Sequence, residues 1–339
     1  MITMSDIAAK ANISRATVSL ILNNRVDTGN VRISDATRDR VLKIAEQLGY
    51  CRNELARSVK LGYTNVIGVA GWMGDSFSGA LLRGISLEAI RHGCSIKLFY
   101  AEADDDFGQL AKACVGQCLG GVILLNPLHH SNSQIFEKIL THAQIPLVAV
   151  DDSESEETLI NEGQGLLAAI RHLKESGHET IAFVSVEELG FGNARSEAFK
   201  KAMHSAGMNA GSADIFNISS CPRMLPEDFT TLSRMFGQYT ACIAASDHLA
   251  MKIYHAAQAG NRVIPDDLSV IGFGDLVFSG VMYPPLTTIR QQFCAAGEQA
   301  AKLIFRKMTE KDLPMASVSL PVELVKRDSV KIMHGKQAR

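Results

Sequence analysis

Polar and apolar residues in the first part of the chain follow the three- and four-residue spacing of short helices. Thr3, with Asp6 three residues later, forms a capping box that begins a helix predicted over about residues 5–11. Asn12 breaks the pattern, and Ser14 then caps a second short helix. The residues of this second helix that point inward are Val18, Ile21 and Leu22, and those that point outward are Arg15, Ala16 and Ser19.

A third helix completes a domain of about fifty residues. It is predicted from Ser34 to Leu48, and Gly49 is the residue that ends it. Two short helices that meet at a tight turn leave one face uncovered, and a groove of DNA can receive such a face. The residues of the third helix expected to cover the first two are Val41, Leu42, Ala45 and Leu48.

From about residue 63 the pattern changes to short apolar runs separated by helical stretches. This alternation is typical of parallel sheets with crossover helices. The remaining 275 residues or so exceed a usual single core, so two lobes are expected. The predicted strands are residues 66–70, 96–99, 121–125, 147–150, 181–186, 242–245 and 269–273.

Charge separates the same two parts of the chain. Residues 1–60 hold ten Lys or Arg against six Asp or Glu, a balance of +4, whereas the whole chain is at −2 and the remainder is therefore near −6. This contrast favours phosphate contacts by the first part alone, although a surplus of +4 also fits an ordinary solvated helical face.

Several segments resemble the lactose-repressor (LacI/GalR) family of bacterial transcription regulators, and the resemblance runs over nearly the whole chain. It implies an N-terminal all-α helix-turn-helix domain of three helices with a hinge helix. An α/β effector domain like periplasmic binding proteins follows, with two doubly wound parallel-sheet lobes. The segments are DIAAKANISRATVSLILN ending at Asn23, RNELARSVK at 52–60, SDHLAMK at 246–252, DLSVIGFGD at 267–275 and PPLTTIRQ at 284–291.

The resemblance also implies domain limits. The helix-turn-helix domain covers residues 1–50, the hinge helix and linker 51–62, the effector-binding and dimerisation domain 63–330, and a tail 331–339. The lobes are expected at about 63–160 with 290–315, and at about 161–289 with 316–330.

In this family the start of the second helix touches base edges in the major groove. Arg15 and Ala16 occupy those positions, and Arg15 can fork onto guanine. Leu20 stands where the family usually has an arginine, so the usual operator is not assumed. Arg25 and Arg32 lie in a longer loop and either contact phosphate or are merely solvated. The predicted DNA-binding residues are Ser14, Arg15, Ala16, Thr17, Ser19, Leu20, Asn23, Arg57 and Val59.

The segment 53–60 resembles the family's hinge helix. Eight residues are too few to hold a helix alone, so DNA is expected to order it. Val59 matches the leucine that wedges into the minor groove in relatives, and its shorter side chain predicts a shallower wedge.

Residues at the carboxyl ends of the predicted strands are expected to line a ligand cleft between the lobes. By resemblance, Arg195 grips the effector through a sugar hydroxyl pair or a carboxylate, and Phe77 stacks on a sugar face. A helix-surface place for Arg195 and core packing for Phe77 are the alternatives. Gly274 and Ser246 replace an aspartate and an asparagine of the family, so the effector class stays open. The predicted effector-binding residues are Asp75, Phe77, Asn126, Asp151, Arg195, Ser246, Asp247, Gly274 and Asp275.

The sequence gives no support for catalysis, a cofactor or a metal. No catalytic or phosphate-binding motif is present, and Cys114 and Cys118 with His129 and His130 show no standard zinc spacing. Seven cysteines without a disulfide framework, a polar amino terminus and no long apolar run indicate a cytoplasmic protein without a membrane span. The eleven residues after Asp328 are too few for a tetramer helix, which favours a homodimer.

The sequence therefore predicts a ligand-responsive DNA-binding regulator, a repressor of carbohydrate or related metabolic genes. Its expected partners are a pseudo-palindromic DNA operator and a small effector, either a sugar, a sugar phosphate or a nucleoside-like molecule. A soluble sugar-binding receptor and a sugar-metabolising enzyme with a fused DNA-binding part are the alternatives. The first lacks a signal peptide and the second lacks a phosphate-cradling loop.

Overall fold

The computed structural model separates into two compact units, the head (residues 1–62) and the body (residues 63–339). The side chains of 130–133 and 190–194 are outside the description. The structure describes residues 2–22, 33–50, 63–71, 73, 77–101, 107–125, 130–150, 162–186, 190–209, 211, 214–221, 223–310 and 320–333.

The head contains the three predicted helices, α1 (Met4–Ala11), α2 (Arg15–Leu22) and α3 (Asp35–Gln47). The predicted capping box is confirmed, since Thr3 N donates to Asp6 Oδ2 at 2.8 Å and Asp6 N donates to Thr3 Oγ1 at 3.4 Å. The residues that form the core of the head are Ile7, Ala8, Ala11, Val18, Ile21, Val41 and Ala45.

One core prediction for the head is wrong. Leu42 is 44% exposed, whereas Ile44 packs against the core together with Leu48. The inward face of α3 therefore follows the spacing of Val41, Ile44, Ala45 and Leu48, and this i, i+3, i+4, i+7 pattern leaves Leu42 on a different face.

The body is built on two sheets, as the alternating pattern predicts. The first has the order β2-β1-β3-β4 and is parallel throughout. Each of its strands lies within one residue of its predicted bounds. The strands are β1 (Val66–Gly71), β2 (Ser95–Tyr100), β3 (Gly121–Leu125) and β4 (Leu147–Val150).

The second sheet has the order β10-β9-β8-β7-β5-β6, and only its β10–β9 pair is antiparallel. The sequence pattern predicts β5, β7 and β8 within one residue but misses the three- and four-residue strands β6, β9 and β10. The strands are β5 (Ile181–Ser185), β6 (Ile215–Asn217), β7 (Ala241–Ala244), β8 (Ser269–Gly274), β9 (Thr287–Arg290) and β10 (Glu323–Val325).

Helices cover both sheets, and their apolar faces complete three cores in the body. A 3₁₀ turn (Val277–Gly280) follows β8. The helices are α4 (Ser78–Arg91), α5 (Phe107–Gly116), α6 (His130–His142), α7 (Glu162–Glu175), α8 (Gly190–Ser205), α9 (Pro226–Met235), α10 (Asp247–Ala259) and α11 (Phe293–Thr309).

Helices α4 and α11 pack backbone to backbone. A Cβ added to Gly84 would lie 2.0 Å from Cys294 O, and one added to Gly297 would lie 2.1 Å from Leu81 O. Glycine at both positions allows the two helix backbones to come this close, because any side chain would collide with the facing backbone.

Cys114, one of the cysteines considered above as a zinc ligand, lies in α5. Cys114 is buried in it, and burial raises the pKa of its thiol to about 11. Cys118 lies beyond the end of α5 at Gly116, so the two cysteines do not share a helix. In the described part of the chain, no cluster of three or more His, Cys, Asp or Glu is arranged to hold a metal. None of the described helices has the length and apolar character needed to cross a membrane.

Candidate functional site

The turn between α1 and α2 is closed by backbone hydrogen bonds around Asn12. This residue has φ 50° and ψ 49°, the left-handed conformation. Asn12 N donates to Ala9 O at 3.3 Å and Ile13 N donates to Ala8 O at 3.1 Å. These two bonds form a Schellman motif, which ends α1 and fixes the direction in which α2 begins.

The predicted reading face lies at the beginning of α2. Ser14 Oγ accepts from Thr17 N at 3.1 Å and is 2.8 Å from Thr17 Oγ1, so Ser14 caps α2 as predicted. Ser14, Arg15 and Ala16 are exposed, whereas Thr17, Ser19 and Leu20 are half-buried. The exposed side of the helix therefore begins with an arginine next to a helix N-terminus, and both attract a phosphate backbone.

The remaining head residues predicted to meet DNA lie outside the described residues. They are Asn23, Arg25, Arg32, Arg57 and Val59, together with the predicted hinge segment 53–60.

In the body, the carboxyl ends of β7, β8 and β9 meet at one edge of the second sheet, where Asp247 links them. Its side chain is fully buried. Its Oδ1 accepts from Thr288 Oγ1 at 2.5 Å, and its Oδ2 accepts from Ser279 Oγ at 2.6 Å and from Leu276 N at 2.8 Å. The carboxylate thus holds the segment after β8 in place. Asp247 is therefore better placed to shape this edge of the sheet than to contact a ligand.

Asp275 has a similar structural environment. Its carboxylate accepts from Arg290 Nε and from Arg327 Nη2, each at 2.6 Å. Gly274 before it has φ +131°, a conformation that side chains rarely adopt. The backbone therefore favours glycine at the position where the family resemblance leads one to expect an aspartate.

Arg195 is buried at the same edge, with a residual exposure of 5%. Its guanidinium lies 4.6 Å from the ring centre of Phe273 in β8, and its Nη1 donates to Ala245 O at 2.8 Å. Its Nε and Nη2 donate to Glu162, the first residue of α7. Gln291 Nε2 also donates to Glu162 Oε1, at 3.0 Å. The alternative that Arg195 is a helix-surface residue is therefore excluded.

Glu162 and Gln291 are polar residues of this edge that the sequence pattern does not predict. Gln291 directly follows a strand that the pattern misses, and Glu162 begins a helix after a long polar stretch. The sequence signal for Gln291 was available in the segment PPLTTIRQ, whose last residue it is.

The other predicted effector residues have local partners or lie outside the description. The ring of Phe77 stacks on Phe293 with 5.0 Å between centroids, and Ser246 Oγ caps α10 by accepting from Leu249 N at 3.2 Å. Asp75, Asn126 and Asp151 are outside the described residues.

A second buried ion pair holds the segment that follows β6. Lys252 Nζ donates to Asp228 Oδ2 at 3.0 Å and to Ser219 O at 2.7 Å. Burial by itself would raise the pKa of Asp228, but the N–H groups of Ser219 and Leu225 and the charge of Lys252 outweigh it and lower that pKa.

Large apolar side chains are exposed on α10 and on the segment that follows β8. The segment after β8 packs on α10 there, since His248 and Phe278 are 5.2 Å apart and Tyr254 OH donates to Pro284 O at 3.0 Å. We call this surface the flank patch. It consists of Met251 (46% exposed), Val277 (98%), Val281 (82%) and Tyr283 (96%).

Two families match the chain. The family described as "Bacterial regulatory proteins, lacI family" matches residues 3–53, and the family described as "Periplasmic binding protein-like domain" matches residues 170–330. The chain is similar to the HTH-type transcriptional repressor PurR of Mannheimia succiniciproducens. The two are 28% identical over 342 residues, which cover 98% of this chain and 99% of the relative.

Solved structures share the fold of the chain. The transcriptional regulator CelR in complex with cellobiose is 22% identical, with a TM-score of 0.70 over 97% of this chain and 100% of that one. The lac repressor dimer bound to operator and the anti-inducer ONPF is also 22% identical, with a TM-score of 0.78 over 97% of this chain and 99% of that one.

Proposed function

Because the chain belongs to the LacI family of bacterial regulatory proteins, we propose that it is a ligand-responsive, sequence-specific DNA-binding repressor of carbohydrate or related metabolic genes. It binds a pseudo-palindromic operator as a homodimer, and a small molecule in the body controls its affinity for DNA. Its relatives are transcriptional repressors, so we assign it no catalytic activity. Its place of action is the cytoplasm, where the operator is.

One observation carries this proposal: α2 presents exposed Ser14, Arg15 and Ala16 at a capped N-terminus that is backed by a complete apolar core. The core fixes the orientation of α2, and the Ser14 cap fixes its first turn. An arginine held on such a helix reaches guanine O6 and N7 in the major groove, while the helix end attracts phosphate.

The body supplies the control. Two sheets with crossover helices close on ligands at the carboxyl ends of their strands, and in this chain Arg195, Gln291 and Asp275 are gathered at that edge of the second sheet. A ligand that contacts two arrangements of the lobes unequally shifts their populations by that difference, about 1–3 kcal/mol for a typical coupling. In this mechanism the DNA-binding head is residues 1–50, the hinge helix lies within 53–60, and the effector-binding and dimerisation domain is 63–330.

The flank patch supports the dimer. Its four large apolar side chains are exposed on two segments that pack against each other, and exposed apolar patches are typical of protein interfaces. A second exposed apolar set lies on α4 and the edge strand β2, where Ile90 is 69% and Tyr100 is 53% exposed. We propose that a second copy of the chain covers the flank patch, and that pairing the bodies brings two heads to two half-sites.

DNA binding is tested with the purified full chain and labelled fragments of the source genome at fixed salt, in the presence of random-sequence competitor. We expect footprints on a small set of near-palindromic sites, because two identical heads read two half-sites. Binding that depends only on fragment length would contradict sequence-specific regulation.

The dimer is tested by sedimentation of Tyr283→Asp, which places a charge within the flank patch. We expect a shift from dimer to monomer and loss of operator binding at the same protein concentration. Val263→Asp is the matched control, since Val263 is also apolar and 55% exposed but lies outside the patch. Equal behaviour of the two variants would remove the flank patch from the interface.

A further inference from the structure

Arg195, the cation expected in the effector site, is already paired with the carboxylate of Glu162. Its Nε lies 2.9 Å from Glu162 Oε1 and 3.0 Å from Oε2, and its Nη2 lies 2.5 Å from Oε1. Glu162 therefore covers the guanidinium edge formed by Nε and Nη2, one of the two edges through which an arginine binds a carboxylate or phosphate in bidentate fashion. On the other edge, Nη1 donates to Ala245 O at 2.8 Å.

Glu162 accepts hydrogen bonds from the guanidinium of Arg195 and from the side-chain amide of Gln291. Both groups can only donate, so they suit a carboxylate. The pair is buried, with exposures of 8% for Glu162 and 5% for Arg195. Water therefore screens these two charges poorly, and they neutralise each other locally.

The other described arginines at this edge of the second sheet are also neutralised. Asp275 accepts from both Arg290 and Arg327 at 2.6 Å, and Arg290 has a second acid in Glu323 at 3.1 Å. Together with Asp247, which is fully buried, the edge carries at least as many acids as bases among the described residues.

We infer that Glu162 is a specificity-determining residue of the effector site, which makes the site select an uncharged, hydroxyl-rich ligand over a phosphorylated or carboxylated one. This inference rests on the proposed function, because it concerns the ligand of the same site. It narrows the predicted effector class to unphosphorylated sugars and similar polyols.

An anion gains little at this edge. To bind Arg195 through its Nε and Nη2 it must displace the carboxylate of Glu162, and this would break a buried ion pair. If it binds beside the pair, it is repelled by Glu162 in a weakly screened environment.

A hydroxyl group is compatible with the same pair. Its oxygen accepts from a guanidinium N–H, and its proton is donated to a carboxylate oxygen, so it joins the pair without separating the two charges. Neighbouring hydroxyls on a sugar ring supply both roles at once.

The test uses inorganic phosphate as the probe and measures the thermal shift of the full chain, with sodium chloride of equal ionic strength as the reference. The wild type is expected to show no saturable shift beyond that of chloride. Glu162→Gln keeps the shape of the side chain and removes its charge, so it is expected to bind phosphate saturably and at least tenfold more tightly than the wild type. The double variant Glu162→Gln/Arg195→Gln is expected to lose that binding.

A charge-relocation variant guards against a folding defect in Glu162→Gln. Glu162→Gln/Gln291→Glu moves the carboxylate to the neighbouring partner, keeps the net charge and is expected to exclude phosphate again. The inference is overturned if the wild type binds phosphate in a manner that Arg195→Gln abolishes. It is also overturned if Glu162→Gln responds to phosphate no more than the relocation variant does.

Operator binding of each variant without ligand is measured in parallel. Absence of specific DNA binding by the wild type would count against the proposed function. The phosphate titrations decide the role of Glu162 independently, because they do not involve DNA.

Discussion

Asn12 sets how the first two helices of the head meet. Its left-handed backbone, with φ 50°, permits the hydrogen bonds of Asn12 N and Ile13 N that end α1. Asparagine tolerates this conformation better than other residues with a side chain, and glycine tolerates it best. The orientation of the reading helix therefore depends on one backbone conformation.

Replacement of Asn12 tests this dependence. Asn12→Val is expected to destabilise the turn by about 1–2 kcal/mol, because a β-branched residue is strained in the left-handed region. Asn12→Gly is expected to stay within a few tenths of a kcal/mol of the wild type. The protection of amides in α1 and α2 from hydrogen exchange is measured for both variants. Equal protection in the two would show that the turn does not depend on the left-handed conformation of residue 12.

The sequence identifies strand-end residues but not their partners. Asp247 and Asp275 stand where predicted, after β7 and β8, yet their carboxylates are occupied by donors from segments distant in the chain, such as Thr288 and Arg327. Such long-range pairings carry no local signal. The same limit explains why Glu162 is missed, since its partner Arg195 is 33 residues away.

The buried pair of Asp228 and Lys252 predicts a pH dependence of stability. The pKa of Asp228 in the folded chain lies below its ordinary value of 3.8. The stabilisation is therefore present above pH 3.8 and is lost as the pH falls through the lower, folded-state pKa. Asp228→Asn should be less stable than the wild type at pH 7, by about 3–5 kcal/mol for a broken buried pair, and the difference should shrink in strong acid.

Thermal unfolding of Asp228→Asn and the wild type from pH 7 to pH 2.5 or so measures this effect. Glu197→Gln serves as the control, since Glu197 forms an exposed pair with Lys200 at 2.7 Å and its loss is expected to change stability little. A constant difference between Asp228→Asn and the wild type across that range would rule out the proposed contribution of the pair.

At the scale of elements, the contact between α4 and α11 depends on two glycines. Gly84→Ala and Gly297→Ala would each place a Cβ near 2 Å from a facing carbonyl oxygen. Each is expected to destabilise the body by about 1–3 kcal/mol, the usual effect of overpacking, or more if the helices cannot move apart.

Gly79→Ala provides the matched control in the same helix, because a Cβ there meets nothing within 4 Å. It is expected to leave stability unchanged or to raise it slightly through helix propensity. Denaturant unfolding of the three variants decides the matter. A loss for Gly79→Ala as large as that for Gly84→Ala would show that helix packing is not the cause.

Strand prediction succeeds where burial is continuous and fails where strands are short. The strands β3 and β5 are fully buried five-residue runs and stand out in the sequence. Strand β10 has three residues with exposed and half-buried side chains, and β9 holds three polar residues in four. Their strand structure comes from pairing with neighbours in the sheet, which local composition does not reveal.

At the scale of the whole molecule, the chain joins a basic three-helix head to an acidic body with two sheets. The change from helical periodicity to alternating buried strands marks this division in the sequence. The location of the reading face is also predictable, because caps and periodicity are local properties. Which base each exposed residue contacts is not, since this depends on the DNA.

The contact of Arg15 with bases decides whether α2 recognises the operator sequence. Binding of wild type and Arg15→Ala to the footprinted operator and to random DNA is compared at one salt concentration. Arg15→Ala is expected to lose about 1–3 kcal/mol of affinity for the operator and much less for random DNA. Equal losses on both DNAs would show that Arg15 contacts phosphate alone and would contradict base reading by α2.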